Sequence, residues 1–97
     1  MLFLVSWQFH EGRLHPVLAH FAQMNEGMDK EMMGDEMTML GRWHDLVSGS
    51  GVAIIESDNA EAVTAYALAW NSEMDISIQP VVDDAAARRL GSLLLEE

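Results

Sequence analysis

The strand-like segments of this chain are apolar on both alternating phases, and that limits its possible folds more than any other feature. Leu2, Leu4, Leu40, Val52 and Ile54 fall on one phase, and Phe3, Val5, Trp7, Met39, Trp43, Ala53 and Ile55 on the other. Successive side chains of a strand point to opposite sides of its sheet, so a sheet made from these segments has no face composed for water. Helices of the same chain can cover one face. The other needs a cover too, because a whole open face exceeds the few hundred Å² of contiguous apolar surface that monomers usually expose.

The helices can be located by periodicity. Residues 2–9 predict a first strand that ends at His10-Glu11-Gly12. From about Arg13, the spacing of Leu14, Val17, Leu18, Phe21 and Met24 predicts a helix, with Pro16 in the first turn, where a missing N–H breaks no bond. Asn25–Asp35 mixes glycine, charge and methionine, and fits either a continued helix or a loop. Met37–His44 and Val52–Ser57 predict a hairpin across the flexible Ser48-Gly-Ser-Gly51 turn. Asp58 with Glu61 resembles a capping box ahead of the stripe Val63, Tyr66, Ala67 and Trp70. Asp75–Val82 alternates as a fourth strand in which Pro80 marks an edge or a bulge, and Asp83 or Asp84 caps a last helix through Leu90 and Leu93–Leu95 to Glu96-Glu97.

The order β-α-β-β-α-β plus a C-terminal helix predicts an α+β, ferredoxin-like domain over residues 1–97: an antiparallel four-stranded sheet with both main helices on one face. A single domain suits 97 residues, and an apolar fraction of 49% is enough for a packed core. The economical cover for the remaining face is a second copy, sheet against sheet, as in a dimeric α/β barrel. The alternative cover is the chain's own C-terminal helix.

Charge and composition exclude several functions. Sixteen acids against five bases give a formal charge of −11, which repels phosphate backbones and anionic headgroups, so neither nucleic acid nor a membrane surface is an expected partner. The absence of cysteine rules out disulfides and thiolate chemistry and fits the cytoplasm. The opening Met1–Val5 lacks a basic leader, and no apolar stretch approaches the roughly 20 residues of a membrane span. Ser48-Gly-Ser-Gly51 lies in a hairpin and not before a helix, so it is no phosphate loop.

Metal binding is also unsupported, and no cofactor is expected. His15 and His20 are five residues apart, about 140° around a helix, and His10 and His44 complete no ligand spacing. Met24, Met28, Met32, Met33, Met37 and Met39 offer thioethers that would suit monovalent copper, but their spacing is helical and reads better as an adaptable flap.

A polar constellation remains. With an even register across the hairpin, Ser6, Gln8, Arg42, His44 and Glu56 share one sheet face, and Arg42 lies beside Glu56. A guanidinium fork there can hold a carboxylate, whether that of Glu56 or of a ligand. The expected ligand site comprises Ser6, Trp7, Gln8, Arg42, Trp43, His44, Glu56, Tyr66 and Trp70. Arg42 and His44 are the catalytic candidates, His44 to move a proton and Arg42 to face negative charge.

Val5-Ser6-Trp7, Gly41-Arg42-Trp43-His44, Ala53-Ile54-Ile55-Glu56-Ser57-Asp58 and Trp70 together resemble the DUF3303 family of small bacterial proteins. More distantly the pattern is similar to dimeric α/β-barrel proteins, among them cofactor-free monooxygenases and isomerases. The resemblance implies the fold and no particular reaction. Two functions follow as expectations: a small-molecule site for an aromatic or carboxylate metabolite, acting without a metal, or a non-catalytic interaction module presenting its acidic surface and methionines to a protein.

Overall fold

A computed structural model describes residues 1–96, which form strands β1 (Leu2–Phe9), β2 (Met37–Asp45), β3 (Ser50–Ser57) and β4 (Met74–Val81), and helices α1 (Leu14–Ala22), α2 (Glu26–Met33), α3 (Ala60–Leu68) and α4 (Asp84–Leu95). Glu97 lies outside the described residues. The strands form one antiparallel sheet in the order β2-β3-β1-β4. That is the ferredoxin-like arrangement, with β3 inserted between β1 and β2 and one additional helix, α2, ahead of β2.

The ambiguous Asn25–Asp35 segment contains α2. Asn25 caps it by accepting a hydrogen bond from the Met28 amide at 2.9 Å, and Gly34 ends it at φ +76°, where a side chain would be strained. The cap of α3 is Asn59 and not Asp58: its Oδ1 accepts from the Glu61 and Ala62 amides at 3.0 and 3.2 Å. Asp83 caps α4 through the Ala86 amide at 2.9 Å. Pro80 lies opposite Phe3 in edge strand β4, the position in a sheet where a missing N–H is tolerated.

The core fills the space between one sheet face and the helices. Phe3, Val5, Met37, Ala53 and Ile55 of the sheet pack with Val63 of α3, and Tyr66 and Met33 close around them. Ile55 and Val63 are almost wholly enclosed, each contributing about 1.5–3 kcal/mol through burial.

The register contains one irregularity that rearranges the expected site. Met39 pairs with Ile55 but Gly41 pairs with Ile54, so Leu40 is an extra residue, a β-bulge in β2. Beyond it the phase inverts. Arg42 lies opposite Ala53 and His44 opposite Gly51, on the helix-covered face, while Trp43 lies opposite Val52 on the open face. The expected even register therefore holds only up to Met39, and Arg42 and Glu56 point to opposite sides of the sheet.

The open face carries Leu4, Val52, Ile54 and Trp43 among polar residues, with Trp43 60% exposed. The chain's own C-terminal helix does not cover it. No residue of α4 is buried, and Leu90, Leu93 and Leu94 face solvent. With α4 projecting, the molecule measures 53 × 30 × 19 Å. Its radius of gyration is 15.8 Å, against about 12.5 Å expected for a compact domain of this length.

Candidate functional site

An apolar cleft lies between the helix layer and the sheet, about 710 Å³ including its open mouth. Ala53, too small to fill it, forms its floor. Along the helix-facing side of β3 stand Gly51, Ala53 and Ile55; the Trp7 indole lies over Gly51, so the strand is open to the cleft at Ala53 and high at Ile55. Trp7 and Val5 rise on one side of this trough, and His44 and Arg42 on the other. Phe21 and Leu18 of α1 and Tyr66 and Ala67 of α3 form the walls, with Trp70 just beyond α3.

The absence of a side chain at Gly51 permits this geometry. A Cβ there would stand 2.6 Å from Trp7 Cε2 and 2.7 Å from the Trp43 carbonyl oxygen. Across the gap the rings of Trp7 and His44 meet edge to face, with centroids 5.8 Å apart at 64°. Phe21 covers His44 from the other side at 5.2 Å and also lies under the Arg42 guanidinium, whose Cζ is 4.8 Å from its centroid.

Arg42, Tyr66 and His44 group on the β2 side of the cleft. Arg42 forms a two-pronged ion pair with Asp29 of α2: Nη1 donates to Oδ1 at 3.3 Å and Nη2 donates to Oδ2. Nη1 also donates to the Tyr66 hydroxyl at 3.4 Å. Burial opposes the Arg42 charge, but the hydrogen bonds and charge of Asp29, aided by Tyr66, outweigh it and raise its pKa above the ordinary guanidinium value. Burial, reinforced by Asp29 and opposed by Arg42, raises the Tyr66 pKa, so the phenol keeps its proton at neutral pH. Desolvation, then the Arg42 charge, lowers the pKa of His44, so its imidazole is neutral at pH 7.

Of the residues expected at the site, the structure gathers Trp7, Arg42, His44, Tyr66 and Trp70 around the cleft. Ser6, Gln8, Trp43 and Glu56 are not there; they belong to the open face. Gln8 ties β1 to the hairpin by donating to the Ser48 and Gly49 carbonyls at 2.8 and 3.2 Å. Glu56 is exposed, and the ion-pair partner of Arg42 is Asp29. Sequence reasoning missed Asp29, Phe21's contact with Arg42, and the trough at Ala53. The Asn25 cap and the Gly34 stop were available signals for the helix that carries Asp29.

Among the described residues no three of His, Cys, Asp and Glu gather as metal ligands. His10 instead pairs with Asp75 at 2.9 Å, and His20 packs on Trp70 at 6.2 Å. No helix among the described residues is long and apolar enough to cross a membrane. A family model described as a domain of unknown function, DUF3303, matches residues 1–95. No curated protein matches the chain.

Proposed function

The chain belongs to the DUF3303 family, and we propose that this member binds a small, uncharged aromatic molecule bearing a hydroxyl or carbonyl group in the cleft over β3. The observation that carries this reading is the grouping of Arg42, Tyr66 and His44 on the β2 side of an otherwise apolar trough. An apolar cleft with a few convergent polar groups is the usual form of a small-molecule site. The aromatic walls Trp7, Phe21 and Trp70 suit a flat ligand.

Charge decides between an aromatic and a carboxylate ligand. Asp29 already neutralises Arg42, so a ligand carboxylate would have to displace it or stand uncompensated in a largely apolar site. A neutral hydroxyl or carbonyl meets no such penalty. The Tyr66 hydroxyl accepts from Arg42 and keeps its own proton to donate. His44, neutral and flanked by two aromatic rings, is the group in this reading that accepts a hydrogen bond from a ligand hydroxyl, while Tyr66 donates to a ligand oxygen. No metal enters this scheme. The working form in this reading is a homodimer in which each copy covers the other's open sheet face.

Tryptophan fluorescence tests the site, since Trp7 and Trp70 line the cleft. Titration with phenol and acetophenone should give saturable quenching, and benzoate should bind at least tenfold more weakly. Ala53→Leu fills the trough and should abolish the response while the far-ultraviolet circular dichroism is retained. No saturable response to either neutral probe, or equal responses in the wild type and Ala53→Leu, would defeat the proposal.

A further inference from the structure

The open sheet face and helix α4 are two apolar surfaces that the chain leaves unpartnered. The first presents Leu4, Val52, Ile54 and Trp43. The second presents a stripe of Ala86, Leu90, Leu93 and Leu94, spaced to lie on one side of a helix, with the leucines 55–71% exposed. Only Val82 and Asp83 separate β4 from α4, and Asp83 is engaged in the cap. The short connection holds α4 away from its own sheet, as the elongated dimensions record.

The open face is acidic, whereas α4 carries both signs, Asp84 with Arg88 and Arg89. The charged residues of the open face are Glu56, Asp75 and Asp45, and none is basic. Arg88 and Arg89 of α4 supply two of the five cations in a chain of formal charge −11, and helical spacing places Arg89 beside the leucine stripe. Two open faces pressed directly together offer these acids no basic partner, whereas a helix carrying arginine meets the acids favourably.

We propose that α4 is an exchanged arm: in a two-fold dimer each copy lays its α4 across the open sheet face of the other, leucines on Val52 and Ile54 and Arg89 toward Glu56. The contact is reciprocal, so one symmetry operation covers both open faces and both helices and leaves neither surface free to propagate a fibre. The inference rests on the dimer reading above and specifies the element that does the covering.

Sedimentation velocity and cysteine pairing on the full chain test it. The wild type should sediment as a dimer, and Leu90→Asp with Leu94→Asp as a monomer of unchanged circular dichroism, because both leucines are exposed within the single chain. Arg89→Glu should weaken the dimer at least tenfold, and adding Glu56→Arg should restore it. The chain has no native cysteine. Mixed Val52→Cys and Leu94→Cys proteins should therefore oxidise to a heterodisulfide in preference to either self-pair. If instead Val52→Cys pairs with itself and the dimer survives Leu90→Asp/Leu94→Asp, the arm is wrong and the dimer stands. A monomeric wild type overturns both.

Discussion

The indole of Trp7 lies in the space that a side chain on its cross-strand partner Gly51 would need. The pair sets the depth of the cleft, because a larger residue at 51 would tilt Trp7 away from His44. Gly51→Ala should destabilise the fold by about 1–3 kcal/mol, since the Trp43 carbonyl on the other side is backbone and cannot rotate clear. The smaller unfolded chain entropy of alanine recovers only about 0.4–1 kcal/mol of this. Chemical denaturation checks the prediction, and pairing the change with Trp7→Leu should recover part of the loss.

Asp29 acts as a built-in counter-ion for Arg42. In Asp29→Asn the guanidinium keeps a hydrogen-bond partner but loses the compensating charge, at a cost of about 1–3 kcal/mol for a hydrogen-bonded ion pair removed from one side. Ligand preference should then reverse, with benzoate gaining at least tenfold over phenol in the same fluorescence titration. Unchanged preference would show that Asp29 has no part in selecting ligand charge.

Arg42→Lys separates position from charge. Lysine keeps the charge but lacks the fork that reaches Asp29 and Tyr66 together, and it loses the planar contact with Phe21. Affinity for the neutral aromatic probe should fall by an order of magnitude or more, with only a small fall in melting temperature. A large fall in melting temperature with unchanged affinity would make Arg42 a purely structural residue.

The lowered pKa of His44 gives stability a definite slope with pH. The unfolded ring takes up its proton near pH 6.5, before the folded one does. The stability linked to this ring is fully present above that pH and is lost progressively as pH falls, until the folded ring is protonated as well. Melting temperatures of the wild type and His44→Gln between pH 7.5 and 5 should diverge in that direction. Binding of the aromatic probe should weaken over the lower part of the same range.

Periodicity located each strand and the helices at Leu14, Ala60 and Asp84 because those segments repeat one spacing over two or more turns. It could not settle α2, whose eight residues lack a continuous apolar stripe and are defined by their ends, Asn25 and Gly34. Nor could it locate the bulge. Leu40-Gly41-Arg42 reads equally well in either phase, and what selects the inverted phase is tertiary: Asp29 reaches Arg42 from α2, and Trp43 packs over the vacant side of Gly41. For that reason Arg42 and His44 were identifiable as a pair, while their companions Ser6, Gln8 and Glu56 were assigned to the wrong side of the sheet.

The bulge at Leu40 makes backbone register, and not side-chain identity alone, a determinant of this protein's chemistry. Were Leu40 to pair with Ile54 in a regular ladder, Arg42 and His44 would turn out to solvent and the indole of Trp43 would turn inward, whereas deleting Leu40 would leave Gly41 opposite Ile54 and keep Arg42 and His44 in the cleft. Within the family, relatives that lack this residue but keep the Gly-Arg-Trp-His block would therefore share the site, whereas relatives of equal length whose strand runs without the bulge would share a motif without sharing a site. An alignment of equal lengths would hide that difference.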